Sequence, residues 1–193
     1  MRELLEELDE RLRAFGAPIA GAFLPGTAPE RIQAALQAEG VPAHEDLIAW
    51  WSWHDGAAID APPVDDGPGI FFRGENTLLE PWHVLSLNEA LRNRRWFREL
   101  DDRLPAEWIP VALVDGRPVL LADAGAEGPA PLHILDEGQL GPPPVLFASL
   151  REFVELVVRA FDAGAVRPSP MDARAPAADA EQLDGELRRL AFF

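Results

Sequence analysis

The chain contains no cysteine, no lysine and no tyrosine. Without cysteine there is no disulfide framework, thiolate zinc site, iron–sulfur cluster or cysteine nucleophile. Without lysine no phosphate-binding loop of the G-x-x-x-x-G-K-[ST] type can be built. The other standard signatures are missing too: no G-x-S-x-G elbow, no G-x-G-x-x-G turn and no H-E-x-x-H pair occurs. No run approaches the roughly 18 consecutive apolar residues of a membrane span. The first twelve residues alternate charge with leucine instead of forming the apolar stretch of a signal peptide. A cytoplasmic protein is therefore expected. Arginine, alanine, glycine and proline have GC-rich codons, which points to a high-GC bacterial source.

What the chain has is negative charge. Its 193 residues carry 33 acidic side chains against 17 basic ones, all arginine, for a formal charge of −16. Such a field repels a nucleic-acid backbone and an anionic membrane surface, so neither is an expected partner. At 48% hydrophobic residues the composition still supports a packed core. The charge is uneven. Residues 39–89 hold ten carboxylates and one arginine, and residues 107–155 hold eight and two, whereas residues 90–98 hold four arginines and no acid. That arginine group is expected to be a solvated helix face among surrounding carboxylates. The acidic stretches favour a basic protein partner, which complementary charge would help capture.

Periodicity lays out the elements. Leu4, Leu5, Leu8, Leu12 and Phe15 recur at helical spacing, with Glu7 and Arg11 as an i,i+4 pair and Gly16 as the stop. Residues 18–26 read as a loop. Thr27 and Glu30 read as a capping box opening a second helix that ends at Gly40. A third helix is expected from Pro42 to Gly56. Residues 57–69 read as a loop, and residues 70–72 and 82–85 as short strands. Ser86 with Glu89, and Ser149 with Glu152, are further capping boxes, each ahead of a helix. Residues 109–114 and 117–122 form a hairpin around Asp115-Gly116, and 132–135 and 145–147 add two strands, the last at an edge because Pro142, Pro143 and Pro144 precede it. Residues 165–180 read as a proline- and alanine-rich linker before a short helix holding Leu183, Leu187 and Leu190. The order predicts an α+β fold with a central, mostly antiparallel sheet flanked by helices: a single domain over residues 1–164, then linker and C-terminal helix over 165–193.

Little in this chain looks like a reaction centre. The four histidines, His44, His54, His83 and His133, are dispersed, and two of the four serines are occupied as caps. Carboxylate pairs such as Asp65 with Asp66 are expected by number alone in so acidic a chain. A metal-dependent hydrolase would have to gather His54, Asp55 and Asp123 in space; no motif calls for a cofactor. The most informative stretch is Trp50-Trp51-Ser-Trp53-His54-Asp55-Gly56. At about 100° per residue three rings in four positions cannot all face one way. Trp50 and Trp51 are expected in the core, and Trp53 at a groove edge or under a loop, where aromatic anchors favour binding. At the end of its helix His54 is expected to be favoured as a cation.

Four pieces in order resemble the SUKH superfamily, the Smi/Knr-like family of fungal cell-wall regulators and bacterial toxin-immunity proteins. They are Asp46-Leu-Ile-Ala-Trp-Trp-Ser-Trp-His-Asp-Gly56, then Val84-Leu-Ser-Leu-Asn-Glu-Ala90, then Trp108-Ile-Pro-Val-Ala112 followed by Asp123, then Ser149-Leu-Arg-Glu-Phe-Val-Glu-Leu156. They span about residues 42–164. The resemblance implies a Smi/Knr-like α+β domain without catalytic residues or cofactor. It also implies a function: an immunity protein that binds and neutralises a cognate toxin, often a nuclease, or else a regulatory or scaffold protein with no toxin partner. Combined with the charge, it makes Trp53, His54, Asp55, Asp60, Asp65, Asp66 and Asp123 the candidate partner-binding residues. It sets no oligomeric state.

Overall fold

The leucine stripe at the N-terminus becomes helix α1 (Arg2–Phe15), which buries Leu5, Leu8 and Leu12. Gly16 ends it at φ 80°, a left-handed turn that glycine makes without a Cβ clash. The Glu7–Arg11 pair forms at 3.1 Å, and the same guanidinium reaches Asp162 at 2.7 Å. The computed structural model describes residues 1–58, 77–100, 104–114, 119–135, 141–170 and 173–191. The strand expected at 70–72 and the Asp115-Gly116 turn lie outside them.

The expected loop at 18–26 is instead a short helix, α2 (Pro18–Ala22), and a strand, β1 (Phe23–Pro25). Pro18 occupies the first turn, where its missing N–H is harmless, and Ile19 is buried; five residues are too few to display a period. Helix α3 (Pro29–Ala38) starts from Ala28, without a side-chain cap. The capping box expected at Thr27 does not form: the cap position is Ala28, one residue further on, and the Thr27 hydroxyl donates to the carboxylate of Asp55 at 2.7 Å.

Helix α4 (Glu45–Trp53) is shorter at both ends than expected. His44 is its cap, its Nδ1 accepting the Asp46 N–H at 3.1 Å, while Nε2 lies 2.6 Å from the carbonyl of Gly128. The two contacts together select the tautomer protonated at Nε2. At the other end the backbone turns extended at His54 and becomes β2 (His54–Ala57), antiparallel to β1.

The main sheet runs β3 (Thr77–Leu79), β4 (Trp82–Val84), β5 (Trp108–Val114), β6 (Val119–Asp123), β7 (Leu132–Leu135) and β8 (Val145–Phe147), in that spatial order, with every pairing antiparallel. Helix α5 (Leu87–Leu100) leaves from β4, and α6 (Leu150–Asp162) follows β8. This is the α+β class with an antiparallel sheet. Both serine caps form as expected: Ser86 with Glu89, and Ser149 Oγ accepting the Glu152 N–H at 2.9 Å. Trp82, Phe147 and Phe153 meet at the core with ring centroids 5.1–5.9 Å apart. Among the described residues no helix is long and apolar enough to cross a membrane.

The arginine-rich α5 is not the uniformly solvated face expected. Arg94 is buried and donates to the carbonyls of Trp108 and Ala106 at the entry to β5. Burial, and then the charge of Arg98, lower its pKa, while Glu39 at 3.9 Å pulls the other way. A forked guanidinium suits two diverging carbonyls, which a helical wheel does not reveal.

Within the segment expected to be a linker, described residues on both sides of 171–172 pair with each other. β9 (Val166–Pro168) and β10 (Pro176–Ala178) form an antiparallel ribbon. Pro176 accepts the N–H of Glu80 beside β3 at 2.7 Å. Small alanines allow this approach, and Ala175 and Ala177 are buried by it. A closing 3₁₀ helix (Gly185–Ala191) buries Leu187 and Leu190. The indole N–H of Trp82 donates to the Leu190 carbonyl at 2.9 Å. Arg189 pairs with Glu152 at 2.7 Å and donates to the carbonyl of Leu146 in β8 at 3.1 Å. Proline and alanine suggested a spacer because composition carries no trace of these distant partners.

Candidate functional site

Trp50 and Trp51 lie in the core, as their helical positions imply, with the Trp51 indole donating to the Leu85 carbonyl at 3.1 Å. Trp53 is half-buried and points into a different group. Its ring centroid lies 5.0 Å from Phe23, 5.7 Å from Trp50 and 4.5 Å from His54. His54 in turn stacks on Phe23 at 4.0 Å with an interplanar angle of 8°. The α4–β2 junction thus gathers four rings, and β1 contributes the one that the sequence reading missed.

The His54 ring sits in an unusual electrostatic position. Its Nδ1 lies 3.3 Å from the Leu24 carbonyl. Its Nε2 is buried without a hydrogen-bond partner, 4.0 Å from an oxygen of Asp9 that is also buried and unpartnered. The other Asp9 oxygen holds Arg13 at 2.9 Å. Burial pushes the imidazole below its ordinary value, against the Leu24 carbonyl and the Asp9 carboxylate, which pull upward. The cation expected from a helix C-terminus is therefore disfavoured. The helix ends one residue earlier, and the ring lies under Phe23 instead of along the helix axis.

Asp55 is a clamp within the chain. One oxygen accepts the Thr27 hydroxyl and the other the Leu87 N–H, each at 2.7 Å. A carboxylate at Leu87 meets the positive end of α5. Gly56 beside it has φ 77°, and an added Cβ would come within 2.7 Å of the Ser86 nitrogen. The β2 backbone is thus pressed against the start of α5.

The sequence candidates are only partly gathered. Trp53, His54 and Asp55 are consecutive and share the α4–β2 junction. Asp123 ends β6 opposite Trp108 and accepts the Gly125 N–H at 2.9 Å, closing its own turn. Asp60, Asp65 and Asp66 lie outside the described residues. No group of three or more histidines and carboxylates among the described residues is arranged to hold a metal ion, so His54, Asp55 and Asp123 do not form such a site.

Next to the ring cluster lies a cleft of about 610 Å³ between α1, α4 and the loop at 26–29. Leu5, Ile48, Ala49 and Trp53 supply its apolar lining, and Glu6 and Glu45 its acidic side. Ser52 also lines it, and its hydroxyl oxygen is buried without a partner. The loop wall is fixed by the Thr27 N–H donating to the Trp51 carbonyl at 2.8 Å. A Cβ on Gly26 would lie 1.9 Å from the Ser52 carbonyl, so only glycine permits this approach. Of these residues only Trp53 stood out in the sequence; a glycine followed by threonine ahead of α3 was the one signal for the wall. In comparisons with known proteins, no family model matches the chain and no curated protein matches it.

Proposed function

We propose that this chain is a non-enzymatic protein-binding domain, a bacterial immunity protein of the cytoplasm that neutralises a cognate toxin through an acidic face. The observation that carries this is the state of the charges over the first 58 residues. Residues 1–58 hold ten carboxylates and four arginines. Three of those arginines are already paired, Arg2 with Glu6, Arg11 with Glu7 and Asp162, and Arg13 with Asp9. Glu3, Glu10, Glu30 and Glu45 are exposed and have no ion pair among the described residues. Unpaired surface carboxylates steer a basic partner and discriminate against acidic ones. A nuclease is a fitting toxin class, because its phosphate-binding surface is basic and a carboxylate face can occupy it. The ordered pieces that resemble the SUKH superfamily support the same function class.

The test is direct. The protein is mixed with the product of a toxin gene encoded beside its own, and binding is followed by calorimetry from low to high salt. A complex that weakens steeply with salt and abolishes toxin activity is expected. An active toxin and no heat of binding would overturn the immunity function. A gene neighbourhood with no toxin would favour a regulatory or scaffold protein instead.

A further inference from the structure

We propose that the cleft between α1 and α4 is a preformed socket for a segment of the basic partner: an apolar side chain seated against Leu5, Ile48 and Trp53, flanked by an arginine or lysine held at Glu45. This rests on the partner class proposed above and assigns its docking site. The volume of about 610 Å³ exceeds one side chain and suits a few consecutive residues. The apolar floor supplies affinity, because burying such a side chain removes hydrocarbon surface from water. The acidic rim supplies the sign. Glu45 is exposed and without an ion pair among the described residues, and the one arginine on the lining, Arg2, is held by Glu6 at 3.4 Å. A second copy of a chain with charge −16 is disfavoured as the occupant by like-charge repulsion. The same rim disfavours a phosphate or carboxylate ligand.

One further feature makes this a built site. The 26–29 wall is already rigid, pinned by Thr27 to Trp51 and Asp55, with Gly26 packed on the Ser52 carbonyl. A socket that need not reorganise loses little affinity to ordering.

A phage-displayed library of random dodecapeptides, selected on the full chain, supplies the probe. Selected peptides are synthesised and titrated into ¹⁵N-labelled protein at low and moderate salt. They are expected to carry an apolar residue beside arginine or lysine and to shift amides of α1, α4 and the 26–29 loop. Replacing their apolar residue with serine is expected to weaken binding at least tenfold. Glu45→Arg, at an exposed position, is expected to weaken it about tenfold and flatten its salt dependence. Ala49→Gln, which fills the cleft without adding charge, is expected to weaken it similarly. Both variants are checked for unchanged amide spectra away from the cleft. Failure to select any peptide, peptides that bind without an apolar residue, or shifts confined to other surfaces would each overturn the socket. A toxin complex that forms equally well with both variants would also overturn it while leaving the proposed function standing.

Discussion

At His54 burial and nearby charge oppose one another, and burial prevails. Phe23 covers the ring at 4.0 Å, while Asp9 stands 4.0 Å from Nε2 and Arg13 sits behind that carboxylate. The folded imidazole therefore titrates below the unfolded one, which does so near pH ~6.5. The unfolded state then binds the proton first as the medium acidifies. The full contribution of the neutral ring is present above the unfolded value, is lost as pH falls from there toward the folded value, and changes no further below it. His54→Phe keeps an aromatic ring against Phe23 and removes the titration. Urea midpoints measured between about pH 7 and pH 5 should fall more steeply for the native chain than for the variant. Parallel slopes would show that His54 is not proton-linked to folding. The sequence identified this residue but not its charge preference, because the preference depends on Phe23 and Asp9, both more than thirty positions away.

Among the elements, Asp55 joins three: the loop ahead of α3, strand β2 and the first turn of α5. Asp55→Ala removes a charged acceptor from two donors and is expected to cost about 2–4 kcal/mol, with Asp55→Asn costing roughly half as much because one acceptor oxygen remains. Denaturation midpoints check the cost, and faster exchange of the Leu87 amide should accompany it. A loss near zero for the alanine variant would mean that the clamp is not stabilising. Its legibility marks a general divide. The caps at Ser86 and Ser149 could be read from the sequence because donor and acceptor lie three residues apart. Thr27 offered the same local pattern, but the helix starts one residue later and the hydroxyl meets a carboxylate 28 positions onward. Strands β4 to β8 and the helices flanking them followed from period and turn residues, whereas β3, three residues long, did not. The β9–β10 ribbon did not, because its pairing involves backbone groups of prolines and alanines that have no pattern. At the candidate site the Trp53–Asp55 group was visible as a motif, whereas the cleft was not, since its walls come from α1, α4 and a loop that share no signature.

Over the whole molecule, a charge of −16 on 193 residues opposes compaction through self-repulsion. The ion pairs that relieve it are mostly exposed and individually weak, such as Arg151–Glu155 at 2.9 Å. Added salt screens the net repulsion more than it weakens those pairs. Raising sodium chloride from about 10 mM to about 150 mM, where the screening length shrinks to about 8 Å, is therefore expected to raise the melting temperature. A fall would show that specific ion pairs outweigh the net repulsion. The two outermost strands of the sheet add a different consequence. β3 and β8 each leave a row of backbone groups on the outer side, the usual template on which a second chain adds a strand. Glu80, next to β3, is engaged by Pro176, and Leu146 in β8 by Arg189. Both guards belong to the stretch that follows α6, so one short piece of chain shields opposite margins of the sheet. Cutting or melting that piece unmasks both margins together, and the resulting failure is polymerisation of copies edge to edge.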